Sequence, residues 1–164
     1  MTTIINLFGG PCIGKSTMAA ELFSNMKKKN YNVELVTEYA KEAVWEERYN
    51  VLTDQLYLLA KQNRRINRLI DKVEYIVTDS PLLLGAVYTK DENIIRLAVK
   101  LHESYKSINL KLKRKPRYST VGRVHSKEEA LRIDEEIDMW LLNYNVTQAS
   151  TVRNCLIRIN NESD

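Results

Sequence analysis

The chain has 164 residues, 44% of them apolar or aromatic and 28% charged, enough for one sizeable core and, with no linker-like stretch or repeat, most simply a single domain over 1–164. Its two cysteines, Cys12 and Cys155, have no metal-ligand spacing, which argues against a disulfide framework or a zinc module and fits a reducing compartment. No signal peptide is visible and no apolar run approaches the ~18 residues of a membrane span, so a cytoplasmic location is expected, while a formal charge of +4 permits an anionic partner without requiring one.

The chain opens on an apolar run that reads as a buried parallel strand and ends in Gly9-Gly10-Pro11-Cys12-Ile13-Gly14-Lys15-Ser16-Thr17. Gly9, Gly14, Lys15 and Ser16 fill the phosphate-loop pattern G-x-x-x-x-G-K-[ST]. Glycines let backbone N–H groups converge on phosphates, and a helix starting near Lys15 aims its positive dipole end at them. Lys15 is expected to bridge the β- and γ-phosphates of ATP, Ser16 to ligate Mg²⁺, and Thr17 to face the α-phosphate. A chance match in a glycine turn is the alternative, and the strand before and helix after argue against it.

The first helix spans 15–29, with Met18, Ala19, Leu22, Phe23 and Met26 along one face and Lys27, Lys28 and Lys29 at its end, where positive charge suits the dipole. A short strand over 33–37 delivers Glu38 and Tyr39 to the edge where open parallel sheets bind ligands. Glu38 is thus a candidate catalytic carboxylate, the alternative being a solvated loop residue. In the helical or looped stretch 39–50, Trp45 either caps the core or, with Tyr39 or Tyr49, offers a stacking surface to a base.

A longer helix is predicted over 53–71 on a seam of Leu52, Leu56, Leu59, Ile66 and Ile70. Gln62 or Asn63 interrupts the seam and either bonds the backbone, the simpler reading, or reads a base edge. Lys61, Arg64, Arg65, Arg68 and Lys72 form another face, solvated or turned to phosphates. The third strand, 74–78, runs into Asp79-Ser80-Pro81. A carboxylate at the end of a buried strand in a phosphate-loop protein is placed to hold Mg²⁺ beside Ser16; Asp79 is alternatively the general base or a helix cap.

The run 82–88 is apolar on too many sides for a surface helix and should close the core near the acceptor. A helix over 92–105 follows, with Ile94, Leu97, Ala98, Leu101 and Tyr105 inward and a structural His102, then a fourth strand over 107–113. The stretch 113–125 is basic, and Ser126 to Glu129 then has the form of a capping box for a helix with Ile133, Ile137, Trp140 and Leu141 inward. A last strand is predicted over 152–159, before an acidic tail.

These motifs resemble the P-loop kinases, above all the thymidylate-kinase-like and nucleoside monophosphate kinase group. The resemblance implies an α/β fold in three layers, a five-stranded parallel sheet in order 2-3-1-4-5 with helices on both faces. It also implies that the basic stretch at about 113–125 is a lid whose Arg114, Arg117 and Arg123 neutralise the transferring phosphoryl group. By similarity to deoxynucleoside kinases, Glu38 takes the proton from the acceptor hydroxyl. Gly-Gly-Pro, Thr-Glu-Tyr-Ala, Thr-Asp-Ser-Pro-Leu-Leu-Leu-Gly and Arg-Lys-Pro-Arg-Tyr together resemble small bacteriophage ATP-binding proteins. Within that set are phage kinases of 5-hydroxymethyluracil in DNA. The expected activity is transfer of the ATP γ-phosphate to a nucleotide-type acceptor, 5-hydroxymethyluracil in phage DNA first, a soluble nucleoside or nucleoside monophosphate second. An ATP-hydrolysing switch is the alternative of another class.

Overall fold

The computed structural model describes residues 1–114 and 126–161. Among them, β1 (Thr3–Phe8), β2 (Val33–Val36), β3 (Tyr75–Thr78), β4 (Ser107–Leu112) and β5 (Val146–Ala149) form one parallel sheet in the order β2-β3-β1-β4-β5. This is the order that the resemblance to the thymidylate-kinase-like group implies. The central strand shows why it lies in the middle, since every residue of β1 is buried. Ile5 and Leu7 pack under α1 (Lys15–Lys28) and α7 (Val152–Asn161) with Ala19, Leu22, Met26, Cys155 and Ile159. Ile4 and Phe8 face the opposite helical layer. The one amide in the strand, Asn6, is satisfied by its register partner: its Nδ2 donates to Oδ1 of Asn109 at 3.0 Å, as a buried polar group requires.

On the opposite side of the sheet lie α3 (Gln55–Asn67), α4 (Leu84–Val87), α5 (Glu92–Glu103) and α6 (Lys127–Leu141), while α2 (Tyr39–Trp45) and a 3₁₀ turn (Tyr49–Thr53) follow β2. The predicted capping box is present in both directions: the Glu129 N–H donates to Ser126 Oγ at 3.2 Å and the Ser126 N–H to Glu129 Oε2 at 2.7 Å.

The last strand is corrected. Residues 152–159 are helical, and the fifth strand is Val146–Ala149. Val152, Cys155, Leu156 and Ile159 recur at helical spacing, putting Cys155 and Ile159 into the core beside α1. Val146–Ala149 is short and only Ala149 is buried, because it is the sheet's edge; so little apolar content left no periodic signal.

The long helix is also shorter than expected. Asp54 accepts the Tyr57 N–H at 2.9 Å and so starts α3 after the 3₁₀ turn that holds Leu52, while Asp71 adopts a left-handed φ of 60° beyond its end. Leu56 is exposed, and the inner seam is Leu59, Gln62 and Ile66. Leu97 of α5 is likewise exposed.

Candidate functional site

The loop between β1 and α1 has its two structural glycines at positive φ, Gly9 at 149° and Gly14 at 100°. At Gly9 a Cβ would come within 2.7 Å of Ile13 Cγ2. Ile13 is itself buried in the core with Ile5, Leu7 and Ala19, so it anchors the loop from beneath. Cys12 makes the turn with a φ of 59°, unusual for a residue other than glycine. Lys15 Nζ donates to the Gly9 and Gly10 carbonyls at 2.6 and 3.1 Å. The N-cap residue of α1 is Gly14, which has no side chain to cap it.

A cavity of about 280 Å³ opens beside this loop at the C-terminal edge of β2 and β3, and Lys15, Glu38 and Asp79 all line it. Much of the remaining wall is apolar, including Val44, Leu52, Leu58, Leu59 and Leu84, with Gln55 and Gln62 as amides and Tyr39 and Tyr88 as aromatic residues. Glu38 stands at the N-terminus of α2 without capping it by its side chain. Asp79 directly follows β3, is only 3% exposed, and its Oδ1 has no hydrogen-bond partner among the described residues. A buried carboxylate oxygen left open at the end of a strand paired with β1 fits a hard divalent cation, whose ligands are oxygens.

Gln62 takes the simpler of its two readings. Its Oε1 accepts the Tyr39 N–H at 3.1 Å and its Nε2 donates to the Thr37 carbonyl at 3.4 Å, which ties the β2–α2 turn to α3. Asn63 accepts the Tyr105 hydroxyl at 3.0 Å. The basic face of α3 divides. Arg65 pairs with Glu42, donates to the Thr37 carbonyl and lies 4.9 Å from the Tyr39 ring centroid, while Lys61 sits over Tyr57 at 5.1 Å. Arg64, Arg68 and Lys72 are exposed. The hydrogen bond from Arg65 holds the Glu42 carboxyl below its ordinary range. The bond between the Tyr39 and Tyr57 hydroxyls, 3.0 Å long, together with Lys61, pulls the Tyr57 phenol down. Trp45 is 67% exposed, so it does not cap the core, and it does not line the cavity.

Of the three expected lid arginines, Arg117 and Arg123 lie outside the described residues. Arg114 is at the loop: its Nη2 donates to the Pro11 carbonyl at 3.0 Å and its Nε to Asp134 Oδ2 at 2.6 Å. Asp134 also accepts the Gly10 N–H on Oδ1 at 2.6 Å. Sequence reasoning missed Asp134, although a signal existed. It falls at helical spacing among Ala130, Ile137 and Leu141 on the buried side of α6, where an acid needs a reason. Lys111, 4% exposed at the end of β4, was also missed; its Nζ donates to Asp138 Oδ1 at 2.6 Å and to the Asp134 carbonyl at 3.2 Å.

The fold is shared with solved structures of low sequence identity. NadR protein in complex with NR superposes with a TM-score of 0.74 at 18% identity over 98% of this chain and 51% of that one, so the chain spans about half the length of NadR. Deoxyadenosine kinase from M. mycoides, solved with products dCMP and a flexible dCDP, gives 0.59 at 18% identity over 98% of this chain and all of that one. YorR protein from Bacillus subtilis in complex with phosphorylated GDP gives 0.59 at 17% over 98% and 97%. Compared by sequence, no curated protein matches. The phosphate loop, the parallel sheet built around it and a family model described as an AAA domain that matches residues 4–153 lead to one conclusion: the chain belongs to that AAA-domain family of P-loop proteins.

Proposed function

We propose that the protein is an ATP-dependent phosphotransferase whose acceptor is a small, uncharged nucleoside-type molecule bearing a free hydroxyl. The observation that carries this reading is the cavity that joins Lys15 to Glu38 and Asp79 under a largely apolar wall. Its volume of about 280 Å³ is near the low end of small-molecule pockets, roughly 300–1,000 Å³. Among the described residues its cationic lining is Lys15 and Lys41 and includes no arginine, the side chain whose bidentate fork favours a phosphorylated acceptor. The fold likeness to a deoxyadenosine kinase supports the same class.

In this reading the loop amides and the N-terminus of α1 hold the ATP phosphates, and Lys15 moves from the loop carbonyls to the β- and γ-oxygens. The acceptor hydroxyl sits against Glu38, which takes its proton as the oxygen attacks the γ-phosphorus and the bond to the β-phosphate oxygen breaks, releasing ADP. Asp79 holds the same wall on the β3 side. Ser16 and Asp79 would hold Mg²⁺, which supplies charge neutralisation on the phosphate oxygens. The apolar wall keeps water from the γ-phosphate and so favours transfer over hydrolysis.

The test is transfer of labelled γ-phosphate from ATP-Mg²⁺ to three acceptor sets in parallel: nucleosides, nucleoside monophosphates, and duplex DNA containing 5-hydroxymethyluracil. Label on a free nucleoside is the expected result. Label confined to the monophosphates would remove the uncharged-acceptor reading, and label confined to hydroxymethylated DNA would make this a DNA base kinase. Hydrolysis with no acceptor labelled would point to a switch.

A further inference from the structure

We propose that Asp134 is a positioning residue that sets the shape of the phosphate loop from the α6 side, through a two-armed contact no other part of the loop duplicates among the described residues. The inference rests on the reading of this loop as an ATP site and adds what holds it in binding shape.

One arm is direct, from Asp134 Oδ1 to the Gly10 N–H at 2.6 Å. The second runs through Arg114, whose Nε is held by Oδ2 of the same carboxylate at 2.6 Å while its Nη2 fixes the neighbouring Pro11 carbonyl at 3.0 Å. One carboxylate thus fixes a donor and an acceptor of consecutive residues, and with them the rotation of the peptide planes ahead of Cys12. The remaining carbonyls of this half, those of Gly9 and Gly10, are taken by Lys15.

The contact is itself anchored. Lys111 donates to the main-chain carbonyl of Asp134 at 3.2 Å and to Asp138 at 2.6 Å, and Lys111 is the β4 register partner of Phe8, the residue before the loop. The strand that launches the loop and the helix that braces it are therefore tied at one level. The approach is close: a Cβ on Gly10 would come within 2.8 Å of the Ala130 carbonyl and 2.9 Å of Asp134 Oδ1. Both members of the ion pair are largely buried, with side-chain exposures of 16% and 14%, so solvent competes weakly for it.

Backbone amides bind phosphate only if they converge, and the enthalpy of each depends on its direction. Removing the brace should cost nucleotide affinity more than acceptor affinity, because the acceptor cavity meets the loop only at Pro11 and Lys15 and its lining includes neither Arg114 nor Asp134. The experiment measures binding of ATP-Mg²⁺ and ADP-Mg²⁺ by calorimetry, and KM for ATP and for the acceptor, in the parental protein and in Asp134→Ala, Asp134→Asn and Gly10→Ala. Asp134→Ala should weaken both nucleotides about 10- to 100-fold, the effect of losing charged hydrogen bonds, and raise KM for ATP to match with a smaller rise in KM for the acceptor. Asp134→Asn keeps an acceptor for Gly10 and should recover part of the loss. Gly10→Ala leaves every charge in place and wedges the loop from α6, so it should reproduce the nucleotide defect by sterics alone.

Nucleotide affinity within twofold of parental in Asp134→Ala and Gly10→Ala overturns the inference while leaving the ATP reading intact. An equal loss in KM for ATP and for the acceptor overturns it as well, because that marks general loosening rather than positioning. A parental protein that binds neither nucleotide removes the ATP reading, and the inference with it.

Discussion

At the scale of single residues, Asp79 sets stability against chemistry. A carboxylate 3% exposed with one oxygen unpartnered among the described residues is destabilising in the absence of a cation, because burying an uncompensated charge costs several kcal/mol even after relaxation. Asp79→Asn should therefore raise the thermal midpoint in EDTA by a few degrees, about 2–4 °C per kcal/mol for a chain of this size, and abolish Mg²⁺-dependent transfer. A lower midpoint in the variant would show that Asp79 serves the fold instead. Glu38 makes a prediction about chemistry alone. If it is the general base of the proposed mechanism, Glu38→Gln should leave ATP affinity unchanged while transfer falls about 10²–10⁴-fold, the usual contribution of a positioned general base. Parental transfer by Glu38→Gln would pass the role to Asp79. In the proposed mechanism Lys15 serves the β- and γ-phosphates, so Lys15→Ala should remove transfer.

At the scale of elements, α5 carries a pH dependence. His102 is buried between Phe8 and Tyr144, ring centroids 6.0 and 5.1 Å away, both edge-on. Burial pushes its imidazole pKa below the ordinary 6.5, so the unfolded chain binds this proton more readily than the folded one. Stability is then full above the unfolded value and falls as pH drops through about 6.5 towards the lower folded value. The thermal midpoint should decline between pH 7 and 5.5 and decline less in His102→Gln; equal slopes would assign the titration elsewhere. The sequence reads His102 as structural, because it lies near the stripe of Ile94, Leu97, Ala98, Leu101 and Tyr105 with no catalytic neighbour in view. It marked α1, β1 and the capping box of α6 for similar reasons, each having a local chemical signature. What it could not show depended on distant partners. Gln62 reads as a break in a seam until the Tyr39 N–H and the Thr37 carbonyl are brought to it. Asp134 looks like one acid among several in its helix until Gly10 and Arg114 arrive from 124 and 20 residues away. The edge strand β5, with one buried residue, owes its conformation to hydrogen bonds from β4.

At the scale of the whole molecule, the cavity walls come from separate pieces of chain: the phosphate loop, α2, the 3₁₀ turn, α3 and the segment from Asp79 to Tyr88. A molecule filling that space contacts all of them, including the 3₁₀ turn, which has no buried residue of its own, so binding should stabilise the native state by mass action. An acceptor at 100 times its Kd contributes about 2.7 kcal/mol, which corresponds to a rise in thermal midpoint of roughly 5–11 °C for a chain of this length. A neutral nucleoside, the acceptor of the proposed function, should produce this shift. ATP-Mg²⁺ should give its own shift through the loop. The two are separable with Val44→Phe, which enlarges a half-buried side chain of the α2 wall away from the loop: it should suppress the nucleoside shift and preserve that of ATP-Mg²⁺. Suppression of both would mean that loop and cavity report one cooperative unit, and suppression of neither would mean that the acceptor binds outside this cavity.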